Sequence, residues 1–269
     1  MALSAAGLGA VALSKGKYVL GALKLTKFAT LGSMLVSIGA YSMLFGWPYA
    51  TGMVGLILVH ETGHALVMRK LGIPASPMVF VPFMGAAVAM RGRPRDAYEE
   101  ALVALGGPYL GSAGAAAVAA MASATGSQLL FALADFGFMI NLFNMLPIGA
   151  LDGGRICGAL SKWAGVAGLG MGGGLIYVGA VSNPIFYLIM LSGGWTTAQR
   201  FWNAGSVPPG YYNISGAQRR GIAGGYFGLI AALIAAMQWN EANKKPLHQL
   251  QEEYGEGSQD EAVLVDPYA

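Results

Sequence analysis

Apolar stretches of bilayer-crossing length dominate the chain. A membrane helix needs about 20 apolar residues, with a range of roughly 17–25. Five stretches meet that requirement: 28–46, 48–68, 101–124, 128–146 and 221–239. The stretch 165–198 is also apolar, but at over thirty residues it is long for one crossing. Ser182-Asn183-Pro184 interrupts it, and Ser or Asn before Pro signals a helix start. The pattern therefore predicts two helices, 165–181 and 184–198. If 165–198 crosses once the chain has six spans; if it crosses twice, seven. Residues 75–90 follow a different pattern. They are apolar but too short for a span, and Pro74, Pro77, Pro82 and Gly85 lie in or beside them. Their β-branched and aromatic residues favour extended structure. A membrane-dipping β-hairpin or loop near 77–89, packed against protein, satisfies the rule that irregular backbone at membrane depth must not face lipid. The expected fold is an all-α polytopic membrane protein with that one interruption.

Composition agrees. Hydrophobic residues make up 55% of the 269 positions and charged residues 11%, against roughly 25% charged in soluble proteins. A soluble fold of this size could not cover its surface with so few charges. The single cysteine, Cys157, excludes a disulfide scaffold. A formal net charge of +3 gives no reason to expect a nucleic-acid partner. Three regions follow: a basic N-terminal segment, 1–27; a membrane domain, 28–240; and an acidic, polar tail, 241–269, of disordered composition. The N-terminal segment is not a secretory signal, because nothing basic precedes its first apolar run. Arg and Lys cluster before the first span, between the second and third, and after the fourth. The positive-inside rule then puts the N-terminus in the cytoplasm, and the expected location of this multi-pass chain is the cell membrane.

Charge placement narrows the chemistry. Seven of the thirteen Asp and Glu lie after position 240, and Asp96, Glu99 and Glu100 share a loop with Arg91, Arg93 and Arg95. That leaves Glu61, Asp135 and Asp152 in apolar surroundings. An ionisable residue at membrane depth costs about 2.5–3.5 kcal/mol on insertion scales, so each is a functional candidate. Glu61 belongs to His60-Glu61-Thr62-Gly63-His64. Two histidines four apart lie on one helix face and can grip one zinc ion, while the glutamate between them acts as base on zinc-bound water. These are two of only three histidines; the third, His248, sits in the polar tail. A catalytic zinc usually takes three protein ligands and keeps one position open. Asp152 and Asp135 compete for the third place. Asp152 lies at the same end of its span as His60 and His64 do of theirs. Asp135 is seventeen residues earlier, roughly 25 Å away if helical. Matching depth favours Asp152, freed to turn by Pro147 and the neighbouring glycines. Cys157, just beyond, is an unneeded fourth donor.

These motifs resemble the site-2 protease family of intramembrane zinc metalloproteases. The resemblance rests on HETGH at 60–64 and on 144–153, close to the family's N-x-x-P-x-x-x-L-D-G pattern, with VPFMGA at 81–86 and a Gly106-Gly107-Pro108 turn opening the third span. It covers about 48–155, the expected catalytic core. The family often carries a PDZ or CBS domain, and neither is read here. The resemblance implies one zinc ion on His60, His64 and Asp152, with Glu61 as base and then as acid to the leaving amine. It implies that Asn144 binds the substrate backbone, and that the hairpin near 79–88, with Gly85, receives a transmembrane protein substrate as an added strand. Two other functions compete. A metal or proton transporter would place acids at several depths, and only Asp135 lies off the cluster. A non-catalytic membrane scaffold derived from a protease would not need Glu61.

Overall fold

The computed structural model describes residues 28–149, 151–202 and 208–245. The expectations for 1–27 and for most of the tail, including His248, fall outside these residues. Helix α1 is Phe28–Phe45. It is followed by α2 (Trp47–Lys70), β1 (Val79–Val81), β2 (Gly85–Ala87), α3 (Ala97–Thr125), α4 (Gln128–Asn144), α5 (Asp152–Leu160), α6 (Ala164–Tyr177), α7 (Pro184–Trp202) and α8 (Gly216–Ala242).

The helix ends follow local chemistry. Gly46, at φ 76°, breaks the chain between α1 and α2, and Pro48 sits in the first turn of α2, where it gives up no helical hydrogen bond. Arg69 and Lys70 close α2 on the side its dipole favours. The Asp96 side chain caps α3 by accepting from Glu99 N at 2.9 Å, and Gly126 ends that helix in the left-handed conformation. A reciprocal Ser215–Gln218 capping box starts α8. Arg95 Nε donates to the buried Glu99 carboxylate at 2.6 Å, and this contact raises the Arg95 pKa.

The alanine- and glycine-rich α3 is the central helix, packed against α2, α4, α5 and α8. Small side chains let backbones approach closely where there is no hydrophobic drive between helices. A Cβ at Gly63 would lie 2.1 Å from Gly106 O, so α2 and α3 cross at a point that admits no side chain. Gly106-Gly107-Pro108 does not open the third span as a turn; it lies inside α3, with Pro108 fully buried at the crossing.

The expected hairpin is present. Strands β1 and β2 pair antiparallel in the register Val79↔Ala87, Phe80↔Ala86 and Val81↔Gly85, with a further bridge between Ala75 and Met90. The strands run beside α1: Thr30 Oγ1 donates to Met78 O, Ser33 Oγ accepts from Phe80 N, and Tyr41 OH accepts from Phe83 N. Thr30 to Tyr41 is about 16 Å along a helix axis. The hairpin thus extends along about half the thickness of a ~30 Å hydrocarbon core.

Six or seven spans are not supported. Four described helices, α1, α2, α3 and α8, are long and apolar enough to cross a membrane. The apolar α4 and α6 have 17 and 14 residues, about 26 and 21 Å of helix. The last turns of α7 carry Thr196, Thr197, Gln199 and Arg200. What the structure does establish is which ends lie together. Ala97 N donates to Tyr211 O, Arg200 to Gly158 O and Arg219 to Leu160 O. The starts of α3 and α8 and the ends of α5 and α7 therefore share one side. Lys245 N donates to Gln128 Oε1 at the other side. So α6 and α7 leave and return to the same end, and Arg200, Arg219 and Arg220 gather with Arg155. Cysteines placed at exposed Ser161 and Ala217 are expected to react with an impermeant thiol reagent from one face of sealed vesicles, and one at Thr125 from the opposite face. Labelling of Ser161 and Ala217 from different faces would contradict this arrangement.

Candidate metal centre

The two histidines of α2 lie one turn apart on its buried face, 5% and 7% exposed. Asp152 reaches them from the first position of α5. Its placement depends on a tight turn. Helix α4 stops at Asn144, and Ile148 N donates to Leu146 O and Leu151 N to Ile148 O, before α5 begins. The turn lies directly on the new helix: a Cβ at Gly153 would meet Met145 O at 2.1 Å, and one at Gly154 would meet Ile148 O at 2.1 Å. Pro147 and these glycines do release the aspartate, as expected, but into the start of a separate short helix rather than an unwound end of α4.

The three donor atoms converge. His60 Nε2 and His64 Nε2 are 3.1 Å apart, and each is 3.3 Å from Asp152 Oδ2. The outer nitrogens of both rings are engaged. His60 Nδ1 lies 2.8 Å from Asn141 Oδ1, and the Asn141 amide nitrogen donates to Gly137 O at 2.7 Å, which fixes Oδ1 toward the ring. His64 Nδ1 lies 2.8 Å from Val103 O. Gly107 N also approaches this Nδ1, at 3.3 Å. A carbonyl can only accept, so the shorter contact decides that Nδ1 carries the hydrogen. With both hydrogens on Nδ1, each Nε2 presents a lone pair. Two lone pairs and a carboxylate then face one another in a buried space, an arrangement that a bound cation would satisfy. Donor atoms of a tetrahedral zinc with bonds of about 2.0 Å lie about 3.3 Å apart, close to the spacings here. The residues fit a zinc ion.

Space for the cluster is reserved by a neighbouring helix. A Cβ at Gly107 would lie 2.2 Å from His64 Nε2 and 2.8 Å from His60 Nε2. Glu61 is 6% exposed, and its Oε2 accepts from Val88 N at 2.9 Å, just past β2. Glu61, the three donor residues, Gly85–Val88 and Asn144 line one cavity of about 220 Å³. Asn144 Nδ2 donates to Ile140 O at 2.9 Å, leaving Oδ1 without a partner among the described residues.

Asp135 lies elsewhere. It accepts from Asn240 Nδ2 at 2.6 Å and pairs with Lys244. Burial works against the Lys244 charge, but the hydrogen bonds and charges of Asp135 and Glu241 outweigh it and raise its pKa. Cys157 is buried in the core and is not one of the clustered donors. Sequence reasoning missed Asn141 and the Val103 carbonyl. Asn141 had a signal: a second asparagine, three residues before Asn144, in a helix whose other polar residues are Gln128 and Asp135. A main-chain carbonyl has none.

Over 140 residues, 47% of this chain, the sequence is 27% identical to a protein of Mycobacterium tuberculosis provisionally named zinc metalloprotease Rip3, covering 35% of it. Over 109 residues, 39% of this chain, it is 27% identical to zinc metalloprotease MJ0392 of Methanocaldococcus jannaschii, covering 31% of it. The chain spans about a third of the length of the curated relatives it matches. Among solved structures, the site-2 protease from Methanocaldococcus jannaschii matches with a TM-score of 0.42 at 22% identity, over 62% of this chain and 85% of that one. No family model matches the chain.

Replacing a ligand and replacing its support should differ in degree. Asp152→Ala is expected to remove zinc from purified protein as thoroughly as His60→Ala, and Asp135→Ala to leave it in place. Asn141→Ala is expected to weaken zinc binding about 10–100-fold, the usual cost of losing a group that orients a ligand. Zinc content measured by mass spectrometry against a competing chelator checks all four variants.

Proposed function

We propose that this chain, which is related to the site-2 protease family of zinc metalloproteases, is an endopeptidase that hydrolyses peptide bonds of membrane-spanning proteins. The observation that carries the proposal is a buried set of three electron-pair donors, with a glutamate beside it and a strand edge lining the same cavity. His60, His64 and Asp152 would hold one zinc ion. Zinc there would polarise the scissile carbonyl and lower the pKa of a water to about 7.

The protein's own groups account for the remaining steps. Glu61 takes the proton of the attacking water at its carboxylate and delivers it to the leaving amine. The Val88 N–H, bonded to Glu61 Oε2, holds that carboxylate at the end of β2. A substrate helix hides its peptide groups in its own hydrogen bonds and must unwind to be cut, and a strand edge supplies replacement partners. β2 pairs with β1 along one edge, and its residues Gly85, Ala86 and Ala87 line the catalytic cavity. Their small side chains leave room for an added strand. Asn144 Oδ1 accepts a hydrogen bond from the substrate backbone beside the scissile bond. A groove of about 850 Å³, lined by Met84, Leu188, Ile189, Leu191 and Trp195, shares Met84 and Ile189 with the catalytic cavity. Its apolar walls suit an approaching membrane helix. Arg69, Lys70, Arg155 and Arg200 crowd the catalytic end, which supports a cytoplasm-facing site in the cell membrane.

Glu61→Gln keeps the size of the side chain and cannot accept a proton. It is expected to retain stoichiometric zinc and to lose cleavage of a membrane-helix substrate by at least about 10²-fold, the low end for acid–base catalysis. Near wild-type cleavage by this variant, or zinc flux through reconstituted vesicles that the variant abolishes, would replace the protease reading with transport.

A further inference from the structure

A second cavity, of roughly 290 Å³, adjoins the catalytic one and shares Arg155 with it. Three cations line it: Arg155 on α5, Lys162 between α5 and α6, and Arg200 in the last turn of α7. One carboxylate, Glu100, lines it as well, and that group accepts a hydrogen bond from Tyr211 OH at 2.8 Å. Arg155 and Lys162 make no hydrogen bond or ion pair among the described residues; the Lys162 ammonium lies 5.7 Å from the Trp163 ring centre. Arg200 is anchored at Gly158 O, with its guanidinium 4.4 Å from the Tyr212 ring centre. Thr197 also lines the cavity; it is 8% exposed, and its hydroxyl has no partner among the described residues.

Glycines keep this space open. A Cβ at Gly158 would come 2.7 Å from Arg200 Nη1, one at Gly165 would come 2.7 Å from Thr197 Oγ1, and one at Gly149 would come 2.2 Å from Thr196 Oγ1. Three cations around one partly enclosed space, with a single carboxylate already bonded elsewhere, repel one another at a reduced dielectric. An oxyanion relieves that repulsion and is met by guanidinium, ammonium and hydroxyl donors together. The surroundings indicate its source. Phe201 lines an adjoining cavity with Lys162, Arg200 and Tyr212, and the exposed Trp163 ring lies 5.2 Å from that of Phe201. Exposed aromatic rings beside cations at the ends of membrane helices mark the depth of lipid headgroups.

We infer that this cavity binds a phosphate-bearing anion, with the phosphate of an anionic phospholipid headgroup as the favoured source. The site lies beside the turn that carries Asp152 but needs neither zinc nor cleavage, so binding can fail or succeed independently of the protease reading. Full-length protein in detergent, titrated with phosphatidylglycerol and followed by native mass spectrometry, is expected to take up one saturable lipid per chain. Phosphatidylcholine should bind at least tenfold more weakly. Lys162→Gln and, separately, Thr197→Val should each weaken phosphatidylglycerol binding at least threefold. Arg93→Gln, which removes an exposed cation outside the cavity, should not. Inorganic phosphate forms a second arm: if it binds with the same sensitivity to the two variants while phosphatidylglycerol does not bind, the phosphate site stands with a soluble source. Unchanged binding in Lys162→Gln, equal loss in Arg93→Gln, or no saturable binding of either probe overturns the proposal.

Discussion

Two imidazoles whose Nδ1 hydrogens are already committed cannot satisfy each other across a gap. His60 is tied to Asn141 and His64 to the Val103 carbonyl, so their inner nitrogens meet Asp152 with electron pairs only. Burying such a set without a cation leaves like partial charges facing one another where solvent cannot screen them. Most of the local architecture serves this one arrangement. Helix α2 supplies the pair, the turn after α4 brings the carboxylate, and α3 supplies both the outer carbonyl and the space.

That space depends on backbone contacts as much as on side chains. Gly63 and Gly106 let α2 and α3 touch, and Gly107 then lies against both imidazoles at a distance that excludes any side chain. Gly153 and Gly154 do the same where the backbone of Met145 and Ile148 meets α5. In a bilayer, helices gain little from burying apolar surface against each other, so close van der Waals contact between small residues carries much of the association. The same residues that hold the bundle together therefore also set the ligand geometry. The glycine abundance of this chain has a local meaning at these positions.

Much of this was legible in the sequence. Apart from the short α5, the helices fall where the apolar runs lie, because lipid allows few alternatives to a helix. The clustering of His60, His64 and Asp152 was legible because ionisable groups stand out against an apolar background and the depth of Asp152 matched that of the histidines. The hairpin at 75–90 was legible from its prolines and β-branched residues. The number of crossings was not, because hydropathy reports length and apolarity while α4, α6 and α7 fall near the limits of both. The fate of Pro108 was also hidden. A buried helix crossing can accommodate a proline that local rules assign to a turn. The Val103 carbonyl could not be read at all, since every residue carries one and only the fold selects which is used.

The two spaces beside the cavity of Glu61 and the three donors have opposite character, and this bears on how the proposed hydrolysis could occur at membrane depth. His64 lies six residues from the end of α2, about 9 Å below the charged end of the bundle. From that end, the cavity of Arg155, Lys162 and Arg200 reaches Arg155, which also borders the catalytic cavity. Polar walls of this kind offer water hydrogen-bond partners. From the side, the groove along α7 reaches Met84 and Ile189 through apolar walls that give water no partners. Water and an apolar peptide need not compete for one entrance. They would meet where Glu61 lies between the inner nitrogens and the end of β2, so that the proton acceptor and the strand edge are positioned by a single hydrogen bond from Val88. Anything that moves the hairpin relative to α2 would disturb both at once, which under the proposed function would couple seating of a substrate strand to readiness of Glu61.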